Sequence, residues 1–316
     1  MKKLLITRVL PDANLAFARA RYDLTVRETA EGLTVAEAAA ALADYDAILP
    51  TLGDQFTAEA FTGSIRCGVL ANFGVGYNHI DVDAAAKAGI AVSNTPDVVT
   101  DATADIGLTL ILSTCRRAGE GERLVRADKW TGWGPTQMLG MHVTGKTVGI
   151  VGMGRIGQAV ARRCHYGFDM PVLYYNRSRK AVDLPAKQVE TLADLMAQSD
   201  IVVVTVPGGG ANTHLIDAAA LAAMKPTGIF VNIARGDVVD EDALIAALQA
   251  GQIAGAGLDV FAREPIVPDA FRAMENVVLL PHLGTAALEV REAMGQMALD
   301  NIVAWDEGRT LPQSVN

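Results

Sequence analysis

Short apolar runs alternate with alanine-rich stretches along the first third of the chain. The apolar runs read KLLITRVL, YDAILP, RCGVLAN and GIAVSN. Between them, TVAEAAAALA and DVDAAAKA have the composition and spacing of helices. Because strands that alternate with helices are typical of a parallel sheet covered by helices, this pattern predicts an α/β domain.

The same alternation restarts in the second half of the chain. Residues 94–125 form one long helical pattern, capped near Pro96 to Asp101. The apolar runs that follow read KTVGIVG, PVLYYN, DIVVVTV, GIFVNI, GAGLDV and NVVLLP. Their regular spacing predicts a second doubly wound parallel sheet, in which the glycine-rich stretch 207–213 is a loop after a strand.

The last apolar pattern has helical spacing and no strand after it. It covers residues 288–308, and we expect this helix to return to the first domain. A chain of 316 residues is long enough for two domains. The predicted boundaries are residues 1–98 and 287–316 for a substrate domain, and residues 99–286 for a coenzyme domain.

Charge and cysteine content narrow the class of protein. The net charge of −9, with scattered lysines and arginines, argues against nucleic acid as a partner. Arg8 interrupts the first apolar run, so the N-terminus predicts a strand and not a signal peptide, and no apolar stretch approaches the roughly 18 residues that span a membrane. Cys67, Cys115 and Cys164 lie far apart, without metal-ligand spacing. We expect a cytoplasmic protein with reduced thiols and no metal site.

The stretch IVGMGRIGQAV, residues 150–160, contains the spacing G-x-G-x-x-G between a predicted strand and a predicted helix. Gly152 would permit the tight turn, Gly154 would let backbone N–H groups approach a pyrophosphate, and Gly157 would allow close packing of helix on sheet. Arg155 and Ile156 complete the turn. Close packing without a ligand is the alternative, but the strand–turn–helix context favours a dinucleotide site.

The end of the next predicted strand bears on the choice of coenzyme. An acidic residue about 20 residues after the glycines would accept from the ribose of NAD. Here the stretch is Asn176, Arg177, Ser178 and Arg179, without an acid. Guanidinium and hydroxyl groups suit a 2′-phosphate, so we expect a preference for NADP(H), with NAD(H) still possible. The alternative is a solvated basic turn.

Three further strand ends carry groups suited to hydride-transfer chemistry on an anionic substrate. Arg235 follows GIFVNI, Asp259 lies near the end of GAGLDV with Glu264 a few residues further on, and His282 follows NVVLLP. A carboxylate bonded to the His282 ring would fix its tautomer and stabilise its protonated form. Arg235 would bind a carboxylate in bidentate fashion and polarise the adjacent keto oxygen.

Together with NTPDVVTDATAD and GMGRIGQAVARR, these stretches resemble the D-isomer-specific 2-hydroxyacid dehydrogenase family over essentially the whole chain. The resemblance implies that Arg235 binds the substrate carboxylate, that His282 is the acid/base and that Glu264 orients it. It also implies a Rossmann coenzyme domain and a flavodoxin-like substrate domain with a cleft between them. The coenzyme domains would pair as a homodimer.

The resemblance extends to residues that would contact the ligands. In the stretch NFGVGYNHID, Val75 and Gly76 would offer backbone N–H groups to the substrate carboxylate; a simple strand-ending turn is the alternative. Leu52 would also contact the substrate. The remaining coenzyme contacts would be Thr103, Val206, Pro207, Thr213, Ile233, Ala234, Asp259, His282 and Gly284.

The basic turn and the tryptophans of residues 129–150 resemble the glyoxylate and hydroxypyruvate reductase branch. The resemblance implies that Trp130 or Trp133, which we assign as Trp133, reaches the substrate site of the partner subunit; an ordinary interface tryptophan is the alternative. The glycines Gly208 to Gly210 depart from the commoner polar turn at this place. The expected reaction is NADPH-dependent reduction of glyoxylate or hydroxypyruvate. A reductase of bulkier 2-keto acids, such as 2-ketogluconate or phenylpyruvate, and a coenzyme-sensing regulator are the alternatives.

Overall fold

The computed structural model describes all 316 residues, and the chain forms two compact units. The first unit combines Met1–Val99 with Thr285–Asn316, and the second is Thr100–Gly284. Each unit holds one fully parallel sheet covered by helices. The prediction of two parallel-sheet α/β domains is therefore confirmed.

The secondary structure comprises twelve strands and eleven α-helices. The strands are β1 (Lys3–Ile6), β2 (Asp23–Val26), β3 (Ala47–Leu49), β4 (Val69–Ala71), β5 (Ala91–Ser93), β6 (Val148–Val151), β7 (Val172–Tyr175), β8 (Ala186–Gln188), β9 (Ile201–Val204), β10 (Ile229–Asn232), β11 (Gly255–Leu258) and β12 (Val277–Leu279). The helices are α1 (Asp12–Arg19), α2 (Val35–Asp44), α3 (Val82–Lys87), α4 (Thr100–Cys115), α5 (Ala118–Arg126), α6 (Arg155–Phe168), α7 (Leu192–Gln198), α8 (Ala218–Ala222), α9 (Glu241–Gln249), α10 (Asp269–Ala273) and α11 (Leu288–Asp306). None of the helices combines the length and the apolar character needed to cross a bilayer.

The five strands of the first unit lie in the order β2-β1-β3-β4-β5. This is the flavodoxin-like order. Successive side chains of a strand enter opposite core layers: Leu5 packs with α2, whereas Leu4 and Ile6 pack with α1 and α11. The C-terminal helix α11 therefore supplies Leu299 and Ile302 to the core of the first unit.

The seven strands of the second unit lie in the order β12-β11-β10-β9-β6-β7-β8. The chain direction across the sheet reverses between β6 and β9, as in a Rossmann fold. Strands β6, β9 and β10 are buried throughout, with α4 and α6 on one face and α7 to α9 on the other. Ligands of such sheets bind outside the carboxyl ends of the strands at the reversal point.

The prediction of one continuous helix over residues 94–125 is wrong. The structure has α4 and α5 instead, separated at Arg117, whose φ of 53° is left-handed. The Arg117 guanidinium donates to both carboxylate oxygens of Glu120, at 2.8 and 2.7 Å. Helix α5 buries none of its residues. Its apolar spacing therefore does not reflect packing against the core and could not indicate where α4 ends and α5 begins.

Candidate active site

The glycine turn between β6 and α6 leaves no room for side chains at two of its three glycines. Gly152 has a φ of +98°, and a Cβ there would lie 2.6 Å from Val206 Cγ1. A Cβ on Gly157 would lie 2.2 Å from the carbonyl oxygen of Gly152. At Gly154, by contrast, no atom lies within 4 Å of such a Cβ. The turn is therefore tight at its two ends and open in the middle, where a ligand can approach the backbone.

The N-terminus of α6 has the features of an anion site. No side chain caps the helix at Gly154, and its first turn holds no acidic residue. Its first N–H groups lack partners within the helix, and the helix dipole places partial positive charge there. Arg155 is exposed and Ile156 is half-buried beside this end. This arrangement fits the pyrophosphate of a dinucleotide.

Asn176 connects the glycine turn to the basic turn after β7. Its Oδ1 accepts from the Met153 N–H at 3.2 Å, and its Nδ2 donates to the carbonyl of Ser178 at 2.8 Å. Arg177, Ser178 and Arg179 are exposed, and neither arginine forms an ion pair within the protein. The turn therefore presents two uncompensated guanidinium groups next to the glycine turn.

The loop after β9 faces the same edge of the sheet. Thr205 Oγ1 donates to the Gly152 carbonyl at 2.6 Å, and Val206 fills the space beside Gly152. Pro207 and Thr213 are exposed, while Asn212 Nδ2 donates to the Pro207 carbonyl at 2.9 Å. The predicted coenzyme contacts of this loop thus lie directly beside the glycine turn.

Arg235 follows β10 in a short extended segment that is held by Asn232. Asn232 is buried; its Nδ2 donates to the Arg235 carbonyl at 3.0 Å, and its Oδ1 accepts from the Ala234 N–H at 3.0 Å. The Arg235 Nη1 donates to the Ala234 carbonyl at 2.7 Å. Burial lowers the pKa of Arg235, which the negative charges of Glu264 and Asp237 partly offset. A cation in this setting binds an external carboxylate strongly, because little water screens it.

Asp259, at the end of β11, builds the turn that carries His282. Its two carboxylate oxygens accept from the N–H groups of Leu283 and Gly284, at 2.6 and 2.9 Å, and its carbonyl accepts from the His282 N–H at 2.9 Å. His282 has a left-handed φ of 53°. Burial raises the pKa of Asp259, and the two N–H donors and His282 oppose that rise.

His282 and Glu264 contact each other. The His282 Nδ1 lies 2.7 Å from Glu264 Oε2, and Glu264 Oε1 accepts from the Phe261 N–H at 3.0 Å. Burial raises the pKa of Glu264, but His282, the Phe261 N–H and the Arg235 charge together outweigh it, so the pKa lies below its ordinary value. Glu264 is therefore an anion that accepts a hydrogen bond from the Nδ1–H group of His282. The other ring nitrogen, Nε2, remains for proton exchange with a ligand.

Three other predicted coenzyme contacts lie in the same unit. Thr103, in the first turn of α4, is buried, and a Cβ on Gly284 would lie 3.5 Å from its Oγ1 and 3.4 Å from Asp259 Oδ2. Ile233 and Ala234 are buried at the end of β10. The second unit thus collects Arg235, Glu264 and His282 with the glycine turn at strand ends of one sheet. No group of three or more histidine, cysteine or acidic side chains is placed to hold a metal ion.

Val75 and Gly76 belong to the first unit, in the turn after β4. Asn72 Nδ2 donates to the carbonyls of Gly74 and Gly76, at 3.0 and 3.1 Å, and Asn94 Nδ2 donates to the Val75 carbonyl at 2.9 Å. The carbonyl groups of the turn are thus occupied within the unit. The N–H groups of Val75 and Gly76 make no backbone hydrogen bond and remain for an external acceptor.

Leu52 lies in the first unit on a loop organised by a buried carboxylate. Asp54 accepts from the Thr7 hydroxyl at 2.6 Å, from the Thr51 N–H at 2.8 Å and from the Leu33 N–H at 2.9 Å. The Leu52 carbonyl accepts from the guanidinium of Arg8. The Leu52 side chain is 42% exposed on this fixed loop.

The two tryptophans of the segment between α5 and β6 are exposed. Trp133 is 83% exposed and Trp130 is 54% exposed, in a stretch without helix or strand. Neither indole ring is covered by the rest of the chain.

Sequence reasoning missed the asparagines that hold the two strand-end turns. Asn72 and Asn232 are each buried at the end of an apolar strand, and each bonds the backbone of the turn that follows. A side-chain amide at the end of an otherwise apolar run was the available signal, because a buried amide needs partners.

The family model for the D-isomer specific 2-hydroxyacid dehydrogenase NAD binding domain matches residues 108–284. A glyoxylate reductase from Thermococcus onnurineus is 42% identical and covers 99% of this chain and 96% of its own length. A glyoxylate reductase from Pyrococcus furiosus is 41% identical, with coverages of 99% and 95%.

The fold of this chain is also similar to that of a solved structure. The crystal structure of an NADPH-dependent glyoxylate/hydroxypyruvate reductase from Sinorhizobium meliloti, in complex with NADP and malonate, superposes with a TM-score of 0.89. It is 34% identical and covers 99% of this chain and 96% of its own. This chain therefore belongs to the D-isomer specific 2-hydroxyacid dehydrogenase family and is an oxidoreductase with an NAD-binding domain.

Proposed function

We propose that this protein reduces glyoxylate and hydroxypyruvate to glycolate and D-glycerate with NADPH. The observation that carries the proposal is the contact of 2.7 Å between His282 and Glu264, at the strand ends that also hold Arg235 and the glycine turn. The relatives named glyoxylate reductase support the choice of substrate class. An acid/base, a cation and a dinucleotide turn are the parts that reduction of a 2-keto acid requires.

The residues at the glycine turn fit a nicotinamide dinucleotide. Gly154 is open above the N-terminus of α6, where the pyrophosphate would lie, and Val206, Pro207 and Thr213 would flank it. Thr103, Asp259 and Gly284 would lie on the nicotinamide side. When bound, NADPH supplies the hydride that reduces the keto carbon.

The side chains of this chain would do the rest of the chemistry. Arg235 would bind the substrate carboxylate and polarise the keto oxygen, and the N–H groups of Val75 and Gly76 would donate hydrogen bonds to the substrate carboxylate. His282 donates a proton from Nε2 to the keto oxygen. Glu264, held as an anion, stabilises the protonated ring and keeps Nδ1 as a donor. In the oxidative direction His282 takes the proton back.

The preference for NADPH rests on the turn after β7. Two exposed guanidinium groups, Arg177 and Arg179, flank the Ser178 hydroxyl, and no carboxylate stands in residues 176–180. A 2′-phosphate gains charge-assisted hydrogen bonds there, while NADH has no group to use them.

Initial rates of NADPH and NADH oxidation by the purified protein test the proposal. The substrates are glyoxylate, hydroxypyruvate, pyruvate, 2-ketogluconate and phenylpyruvate. We expect a signal with NADPH on the two small polar keto acids. Activity confined to the bulky acids would overturn the proposed substrates but leave the proposed roles of the catalytic side chains unchanged. Coenzyme binding without reduction of any keto acid would point to a coenzyme-sensing regulator.

We also propose that the protein acts in the cytoplasm as a homodimer, paired through the second unit, with Trp133 reaching the partner's substrate site. The 83% exposure of Trp133 supports the pairing, because a monomer would leave this ring in water. Light scattering at micromolar concentration gives the oligomeric state. A Trp133→Ala variant should raise KM for hydroxypyruvate, whereas an unchanged KM would leave Trp133 a plain surface residue.

A further inference from the structure

Asp237 lies two residues beyond Arg235 and has no part in the chemistry proposed above. Its Oδ2 accepts from the Gly209 N–H at 2.6 Å, and its backbone carbonyl accepts from the His214 N–H at 2.8 Å. Asp237 therefore binds the loop after β9, residues 207–213, through its side chain at Gly209, and binds the residue directly after the loop, His214, through its backbone carbonyl.

Gly208 in that loop packs directly on the Arg235 side chain. A Cβ at Gly208 would lie 2.9 Å from Arg235 Cβ, 2.8 Å from Arg235 Cγ and 2.7 Å from Asp237 Oδ1. Real Cβ atoms do not approach other atoms so closely, so the backbone of the loop occupies the space beside the arginine stem. This contact accounts for a glycine at position 208, which the sequence alone left as a departure from the commoner polar turn.

The charge of Asp237, taken alone, should weaken binding of an anionic substrate. Its negative charge acts on Arg235, the cation proposed to bind the substrate carboxylate. A second carboxylate near that cation competes with an anionic ligand. The presence of Asp237 is explained if its hydrogen bond to Gly209 favours substrate binding by more free energy than the repulsion between Asp237 and the substrate carboxylate costs.

We propose that Asp237 is a positioning residue that couples the coenzyme loop, residues 207–213, to Arg235. The inference rests on the proposed function for the roles of the loop and of Arg235. When coenzyme binds and orders the loop, Gly208 holds the aliphatic stem of Arg235 in place. The affinity of Arg235 for the substrate carboxylate then rises. By linkage, a carboxylate on Arg235 tightens coenzyme binding by the same factor.

The test is a binding measurement that needs no turnover. NADPH is titrated into the protein with and without oxalate, a two-carbon dicarboxylate, and binding is followed by fluorescence energy transfer to the coenzyme. In the wild type we expect oxalate to lower the Kd of NADPH about fivefold or more. Asp237→Ala should abolish that factor. Asp237→Asn should retain most of it, because the amide oxygen still accepts the Gly209 N–H.

A matched control is Asp217→Ala, since Asp217 accepts the Ala220 N–H at 2.8 Å at the start of α8. It removes the same kind of hydrogen bond and should leave the coupling unchanged. Gly208→Ala approaches the coupling from the loop side, and we expect it to raise KM for glyoxylate about tenfold while kcat changes less than twofold.

The outcomes separate the two proposals. Equal coupling in the wild type and Asp237→Ala, no coupling in the wild type, or loss of coupling in Asp237→Asn would each overturn the inference. A wild type that shows coupling yet reduces no keto acid would overturn only the proposed function. Coupling lost in Asp237→Ala and kept in Asp237→Asn and Asp217→Ala supports the positioning role.

Discussion

The two halves of the seven-stranded sheet build their parts of the site in different ways. On the side of β6 and β7, the glycine turn and the N-terminus of α6 offer backbone groups, and the fit depends on missing side chains at Gly152 and Gly157. On the side of β10 to β12, the reactive groups are side chains, which hydrogen bonds to Asn232, Glu264 and Asp259 hold in place. A backbone site needs only local spacing, whereas a side-chain site needs strands that are neighbours in space.

The difference also appears in the electrostatics. The coenzyme half uses the fixed partial charges of a helix end, together with exposed arginines. The catalytic half balances full charges in a partly buried place: burial lowers the pKa of Arg235, and the pKa of Glu264 is lowered against the effect of its burial. Mutations should therefore disrupt binding in the first half and the chemical step in the second.

The largest expected effect is in the catalytic half. His282→Ala removes the proposed proton donor, so kcat/KM for glyoxylate should fall about a hundredfold or more, while the Kd of NADPH stays near the wild-type value. Steady-state rates and a coenzyme titration measure the two quantities. The exposed His142→Ala is the control and should keep full activity. Near-normal turnover by His282→Ala would remove it from the mechanism.

A substitution in the glycine turn should have the opposite effect and weaken coenzyme binding. A Cβ in Gly157→Ala would lie 2.2 Å from the Gly152 carbonyl and 2.9 Å from Thr205 Oγ1. We expect a loss of about 1–3 kcal/mol in the free energy of unfolding and weaker NADPH binding. Denaturant unfolding measures the first. Gly167→Ala in the same helix has no atom within 4 Å of its Cβ and should be neutral or stabilising. Equal behaviour of the two variants would contradict the packing argument.

The coenzyme half should also yield a selectivity change of intermediate size. Arg177→Ala should raise KM for NADPH about tenfold and leave KM for NADH nearly unchanged, because only the 2′-phosphate uses the guanidinium. Arg162→Ala, another exposed arginine, controls for the change in net charge. If both variants alter NADPH and NADH equally, the basic turn is only a solvated surface.

The smallest effect is a change of pH dependence in the catalytic half. The pKa of Glu264 lies below its ordinary value of 4.5, so its contribution to stability is complete above that pH and is lost as the pH falls through the folded pKa. The Tm difference between the wild type and Glu264→Gln should therefore shrink as the pH is lowered from 7 to 3. The acid limb of keto acid reduction should also shift in Glu264→Gln, because the variant lacks the charge that stabilises protonated His282.

Glu289→Gln serves as the control for the Glu264 comparison. Glu289 is exposed in the first turn of α11 and forms no ion pair. It removes one exposed carboxylate and so controls for the change in net charge. A Glu264→Gln difference in Tm that changes with pH no more than that of this control would mean that the contact with His282 carries no net charge interaction.

Apolar runs predicted most of the strands because a strand buried on both faces must be apolar throughout. Strands β2 and β8 escaped detection because no residue of either strand is fully buried, so neither strand forms an apolar run; each lies at one edge of its sheet. The break at Arg117 escaped for a different reason: the left-handed backbone of this one residue separates the two helices, and the hydrophobic pattern does not record the φ angle of a single residue.

The sequence by itself determined the two α/β domains, the glycine turn and the residue types needed for the chemistry, because these depend on local spacing and on which groups can be buried. Only the tertiary structure brought Glu264 into contact with His282 across 18 residues and Asp237 into contact with Gly209 across 28 residues. The two long-range contacts exist because parallel pairing brings the carboxyl ends of β9 to β12 to one edge, and no short-range pattern encodes which strands become neighbours.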